Sequence, residues 1–325
     1  MLMSLCAPTK FFLPAFNASK IPSPPVTDLA ARFAPCLEAA YITRLVSNAR
    51  KCIQEDTGTL FNETSWKTVQ DHFNTSALLK MKKKLTNSFA VIADRNRKLY
   101  ALYSKEELYH ANDPLAAVSI KLIQDLTTKE FAIVKITTNR VRFNNETQCL
   151  AKRGLLLGTQ SRFKKNGRCK YYMMMKLVSG VTLAVFKEFC KEQKIQLSEQ
   201  EQAQILLSML TALQGLFADK IMHNELHEGN IIFDPNTLHT EFIDFENAKL
   251  LGHLDAKASH RLDLAQILKE YTPLINDPKM LTLLTNLTKE DESTSCKVEQ
   301  AIIALKLFVQ PLNLSNNSYK SHKTK

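Results

Sequence analysis

The chain has 325 residues, 45% hydrophobic and 23% charged, a balance that suits a folded protein and excludes wholesale disorder. Lysine and arginine outnumber the acids by 43 to 32, and the resulting charge of +11 favours acidic or phosphate-bearing partners. Only eight glycines are present, none between Gly58 and Gly154, which excludes a G-x-G-x-x-G fingerprint or a Walker loop. The seven cysteines are widely spaced with no C-x-x-C, so reduced thiols in a cytoplasmic setting are expected rather than a structural zinc. No apolar run approaches the roughly 18 residues of a membrane helix. The first residues carry no basic region and no small-residue cleavage pattern, so no secretory signal is expected. Export without a cleaved signal, into the cytosol of a host cell, stays compatible with that.

In chain order, IPSPPV at 21–26 predicts an extended linker. Thr27 or Asp28 then caps an expected helix carrying Leu29, Phe33, Leu37, Tyr41 and Leu45 at helical spacing. A second helix is expected over Trp66–Lys84, ending in a basic run. From Asn87 the apolar period changes to two. FAVIAD, a turn at Arg95–Lys98 and LYALY predict a β-hairpin, and AAVSIKLI and EFAIVKI predict two more strands. A helix over Asn144–Leu157 follows, then two strands, SRF and KYYMMMKLV, joined across Asn166-Gly167. After Gly180 the pattern is helical at Thr182–Glu192, Ser198–Asp219, Arg261–Tyr271 and Lys297–Val309. Strands first and helices second predict an α+β chain of two lobes. The expected organisation is an extension over 1–86, a strand-rich N-lobe over 87–178, a helical C-lobe over 179–313 and a disordered basic tail over 314–325.

The densest cluster of catalytic residue types lies in Ile221–Leu251. His223 and His227 are four apart, but a zincin needs its glutamate directly after the first histidine, and here Glu225 comes two later. A zinc deaminase needs P-C-x-x-C, which is absent. The spacing His223-Asn224-Glu225-Leu226-His227-Glu228-Gly229-Asn230 instead resembles the kinase catalytic loop H-R-D-L-x-x-x-N. Asp244, in Ile243-Asp244-Phe245-Glu246, stands where the D-F-G aspartate stands. Phosphoryl transfer needs a carboxylate near the attacking hydroxyl, and amide and carboxylate oxygens for Mg²⁺.

Upstream, Phe131–Ile136 resembles the V-A-I-K strand, with Lys135 as the phosphate-pairing lysine and Glu146 as its expected partner on the following helix. Tyr172–Leu183 is similar to a kinase hinge, which implies Met175 beside an adenine and the backbone of Lys176 and Val178 at its edge. Asp263 resembles the aspartate that braces the catalytic loop, and His223 is expected to pack near Phe245. The resemblance to the protein-kinase-like fold runs from about Asn87 to Pro311. It implies a bilobal fold, ATP and Mg²⁺ as cofactors, and a protein substrate phosphorylated on Ser or Thr. Short spacing between Asp244 and Asp263, with no A-P-E, is most similar to the small kinases that bacteria inject into host cells.

Two departures keep other readings open. Glu225 replaces an aspartate of similar basicity, but its extra methylene moves the carboxylate, and a displacement of about 1 Å can cost about 100-fold in rate. The segment expected to cover the phosphates, His110–Val118, has no glycine, and Pro114 lacks an N–H. A pseudokinase acting as a binding module, or a small-molecule kinase of the choline or aminoglycoside type, therefore remains an alternative. The basic hairpin of Arg162, Lys164, Lys165, Arg168 and Lys170 offers a surface to an acidic or phosphate-bearing partner. It lacks the interleaved aromatic residues expected of a nucleic-acid surface. Met173–Met175 are expected in core or pocket lining.

Overall fold

The computed structural model describes residues 29–56, 83–84, 89–103, 108–111, 118–163, 169–251, 256–288 and 294–309. The first helix expected from the sequence is two, α1 (Leu29–Ala39) and α2 (Tyr41–Asp56), separated at Ala40. The break has a tertiary cause. Leu29, Phe33 and Cys36 of α1 enter one core, whereas Leu45 and Ala49 of α2 enter another. The second expected helix falls largely outside the described residues; its last two, Lys83 and Lys84, form strand β1.

The apolar runs between 89 and 137 form β2 (Phe89–Ala93), β3 (Leu99–Tyr103), β5 (Val118–Asp125) and β6 (Phe131–Thr137). A short strand unforeseen in the sequence, β4 (Tyr109–Ala111), pairs with β5. It takes up the start of the segment expected to cover phosphates; 112–117, with Pro114, lies outside the described residues. Asn139 accepts from the N–H groups of Val141 and Arg142 and so starts helix α3 (Arg140–Lys152) four residues earlier than expected. The chain returns through β7 (Leu156–Phe163) and β8 (Cys169–Lys176). Among the described residues these strands form one antiparallel sheet in the order β1-β2-β3-β5-β6-β8-β7, with β4 beside β5.

Both faces of the sheet are covered, which explains why β3 is buried along its whole length. Val91, Ala93, Ala101, Tyr103 and Leu122 pack with Leu45 and Ala49 of α2. Ala90, Ile92, Tyr100, Leu102 and Val134 fill the opposite face. The N–H of Arg95 at the tip of the β2–β3 hairpin donates to the carbonyl of Thr159 in β7 at 2.9 Å, so the sheet curls back on itself.

After β9 (Val181–Thr182) the chain is mainly helical: α4 (Leu183–Glu192), α5 (Glu199–Ala218), α6 (Ala256–Tyr271), α7 (Pro278–Thr288) and α8 (Thr294–Val309). Thr182 caps α4, and Ser198 with Glu201 forms a capping box on α5. α7 was not foreseen from the sequence. Between α5 and α6 lie β10 (Ile221–Met222), β11 (Ile231–Asp234), β12 (His239–Phe242) and β13 (Lys249–Leu250). β11 and β12 form the hairpin that separates the Asn230 and Asp244 segments. Gly180 carries the chain from β8 into this half at φ 112°, where an added Cβ would lie 2.5 Å from the carbonyl oxygen of Phe233. The chain is thus α+β: two leading helices, a sheet with α3 inserted between β6 and β7, and then a mainly helical part. Among the described residues no helix is long and apolar enough to cross a membrane.

Candidate active site

β6, α3 and the turn after β12 bring three sequence-distant residues to one point. Lys135 faces away from the Val134 side of the sheet, because neighbouring strand residues point to opposite faces. Its Nζ lies 2.9 Å from Oε2 of Glu146 and 2.5 Å from Oδ1 of Asp244. The separation of 11 residues between Lys135 and Glu146 is closed because α3 begins directly after Asn139. Asp244 adopts φ 63°, a left-handed conformation, and opens a single 3-10 turn over Phe245–Asn247.

A third carboxylate, absent from the sequence expectations, joins this cluster. Glu246 places Oε2 3.5 Å from the Lys135 ammonium and Oε1 2.9 Å from Nη1 of Arg142 on α3. The signal available in the sequence was a glutamate at the third position of the Asp-Phe-Gly pattern. One buried ammonium therefore serves three carboxylates. Burial pulls the Lys135 pKa down, but Glu146 and Asp244 outweigh it and hold the ammonium above its ordinary range. Burial pushes the Glu146 carboxyl up to about 7; Lys135 opposes this, and the Asp244 charge adds to it. Glu146, Asp244 and Glu246 each offer an oxygen within 4.8 Å of the others. Those oxygens surround the Lys135 ammonium, which holds the place a cation would take among them.

The loop Met222–Asn230 reaches the same region. Asp263 of α6 is wholly buried and accepts from the N–H of His223 at 2.9 Å and of Asn224 at 3.0 Å. Burial raises its carboxyl to about 6, while the two N–H donors hold it down. Gln266, one turn further along α6, accepts from Leu226 N–H and donates to Asn224 C=O, a second brace that the sequence did not signal. His223 packs its ring 4.8 Å from that of Phe245, with Nε2 2.9 Å from the carbonyl oxygen of Ile243. Burial drives the imidazole pKa down to about 4. Its place is structural, as expected.

Asn230 is buried and donates through Nδ2 to the Glu225 carbonyl at 3.0 Å. The Oε2 atom of Glu225 accepts from Nδ2 of Asn247 at 2.7 Å, and Asn224 Nδ2 donates to the Asn247 carbonyl at 2.8 Å. The loop and the turn after Asp244 are thereby fastened together. Glu228 pairs with Lys187 of α4, and Gly229 N–H donates to Nδ1 of His227.

No family model and no curated protein matches the chain. The other expected positions are therefore placed by geometry alone. Met173 and Met174 are fully buried core residues, whereas Met175 is half-buried. Met175 pairs with Ile133 and Leu156, and Lys176 N–H donates to Leu155 C=O at 2.9 Å. Val178 is half-buried in the strand-free stretch that leads to Gly180. In the basic hairpin, Arg162 and Lys170 lie directly opposite each other on β7 and β8. Lys164, Lys165 and Arg168 lie outside the described residues, as do the 1–28 segment and the basic tail.

Proposed function

We propose that the chain is an atypical kinase-like phosphotransferase that moves the γ-phosphate of ATP to a hydroxyl acceptor, with Ser or Thr of a protein as the acceptor class. The observation that carries this reading is the meeting of buried Lys135 and Glu146 with the half-exposed Asp244 at one point, beside a loop held by Asp263. Lys135 would pair with phosphate oxygens, and Glu146 would hold it there. Asn230 and Asp244 would hold Mg²⁺, whose charge, when bound, offsets that of the phosphates. Met175 and the backbone of Lys176 and Val178 would take the adenine. Glu225 has Oε2 fixed by Asn247, which leaves Oε1 to accept the proton of the attacking hydroxyl as its oxygen joins the γ-phosphorus and ADP departs. The tight linkage after Asp244 fits a kinase that needs no phosphorylated segment, as expected of the bacterial effector type.

A pseudokinase reading is favoured by Glu246, which sets a further negative charge at Lys135, where phosphates would have to sit. ATP labelled at the γ-phosphate, incubated with Mg²⁺ and protein or small-molecule acceptors, separates the readings. Transfer that Asp244→Ala abolishes supports the enzyme. Equal, background transfer by both chains sinks it. An α-labelled nucleotide run in parallel detects nucleotidyl transfer, and the acceptor that is labelled distinguishes protein from small-molecule substrates.

A further inference from the structure

Resting on the nucleotide-binding reading above, we infer that Arg142 is a second phosphate-contacting cation of this site, held ready by Glu246 until a polyphosphate displaces that carboxylate. Glu246 divides its oxygens between two cations, Oε1 with Nη1 of Arg142 at 2.9 Å and Oε2 towards Nζ of Lys135 at 3.5 Å. An anion that bridges a guanidinium and an ammonium in this way holds a place for which phosphate competes. Phosphate brings paired oxygens of its own and more charge, and the guanidinium fork matches them.

Arg142 sits in the first turn of α3, four residues before Glu146, so the two share a helix face. Its side chain is 39% exposed, against 5% for Lys135. Arg142 thus stands at the open edge of the cluster and Lys135 behind it, an order suited to a ligand with phosphates in a row. A replacement for backbone donors is also needed. The segment expected to cover the phosphates has no glycine, and its Pro114 has no N–H. A forked donor on α3 supplies what that segment lacks. Glu246 occupies the space between the two cations while no phosphate is present, which accounts for a charged residue where the Asp-Phe-Gly pattern has glycine.

The test is calorimetric titration of the full chain with Mg-ATP and with Mg-AMP, with the thermal midpoint of each variant showing that it is folded. Arg142→Gln should weaken ATP about tenfold and leave AMP within about twofold, the loss of one charge-assisted contact to the outer phosphates. Arg142→Lys, which keeps the charge and loses the fork, should fall between. Glu246→Gln should tighten ATP several-fold by removing the competitor. Unchanged ATP affinity in Arg142→Gln, or weaker ATP binding in Glu246→Gln, overturns the assignment while leaving the phosphotransferase reading in place. Wild-type chain that binds neither nucleotide overturns both.

Discussion

Asp263 and His223 are neighbours with opposite electrostatic histories. Asp263 accepts two loop N–H groups from a fully buried position. Asp263→Ala leaves those donors without an acceptor, and chemical denaturation should show a loss of about 2–3 kcal/mol. His223 resists protonation, because burial drives its pKa from 6.5 down to about 4. The unfolded chain takes up that proton as pH falls below about 6.5, and the folded chain does not. Stability held at neutral pH is therefore lost progressively as pH falls from about 6.5 to about 4. Buried acids such as Asp263 push the other way over part of this window, so the difference between wild type and His223→Asn is the quantity to measure. Wild type should lose stability relative to the variant on acidification; parallel curves would contradict the assignment. Nitrogen NMR should also find the proton on Nε2, facing the Ile243 carbonyl. Lys135, Asn230 and Asp244 were legible as residue types at recognisable spacing, and Glu146 as the acid on the next helix in spite of a separation of only 11 residues from Lys135. Arg142, Glu246, Asn247 and Gln266 were not, because contacts such as Arg142–Glu246 join residues 104 apart in sequence. Local pattern carries no record of such a pairing.

Among the elements, the apolar runs at 89–103 and 118–137 and the capping box of α5 were legible in the sequence, whereas tertiary demands set much of the rest. The capping box of Ser198 and Glu201 marks the start of α5 within one residue. β4 is too short to generate a period, and α3 begins at an Asn cap that precedes its buried residues. The division of α1 from α2 is invisible in sequence because apolar spacing runs straight through Ala40. In the structure Phe33 of α1 is fully buried, with its ring 4.7 Å from that of Phe186 and 6.1 Å from that of Phe189 on α4. Arg32 adds a two-oxygen pairing with Glu201 and a bond to the Gln196 carbonyl. Phe33→Ala should therefore lower stability by about 3–5 kcal/mol in urea unfolding, the range for emptying a buried aromatic site. A change below about 1 kcal/mol would mean that α1 is only loosely seated.

For the whole molecule, composition and patterning sufficed for an α+β chain, and the two covered faces of the sheet account for the near-continuous burial of β2 and β3. The sheet and the helices meet at the Lys135 cluster and at the far end of α3, where Arg153 pairs with Asp219 and Glu241. They are also spanned by α1 and α2. One of these helices is anchored on the helical side and the other on the back of the sheet, with a single residue between them. A strut of that kind limits how far the two sides can swing apart while both ends stay seated.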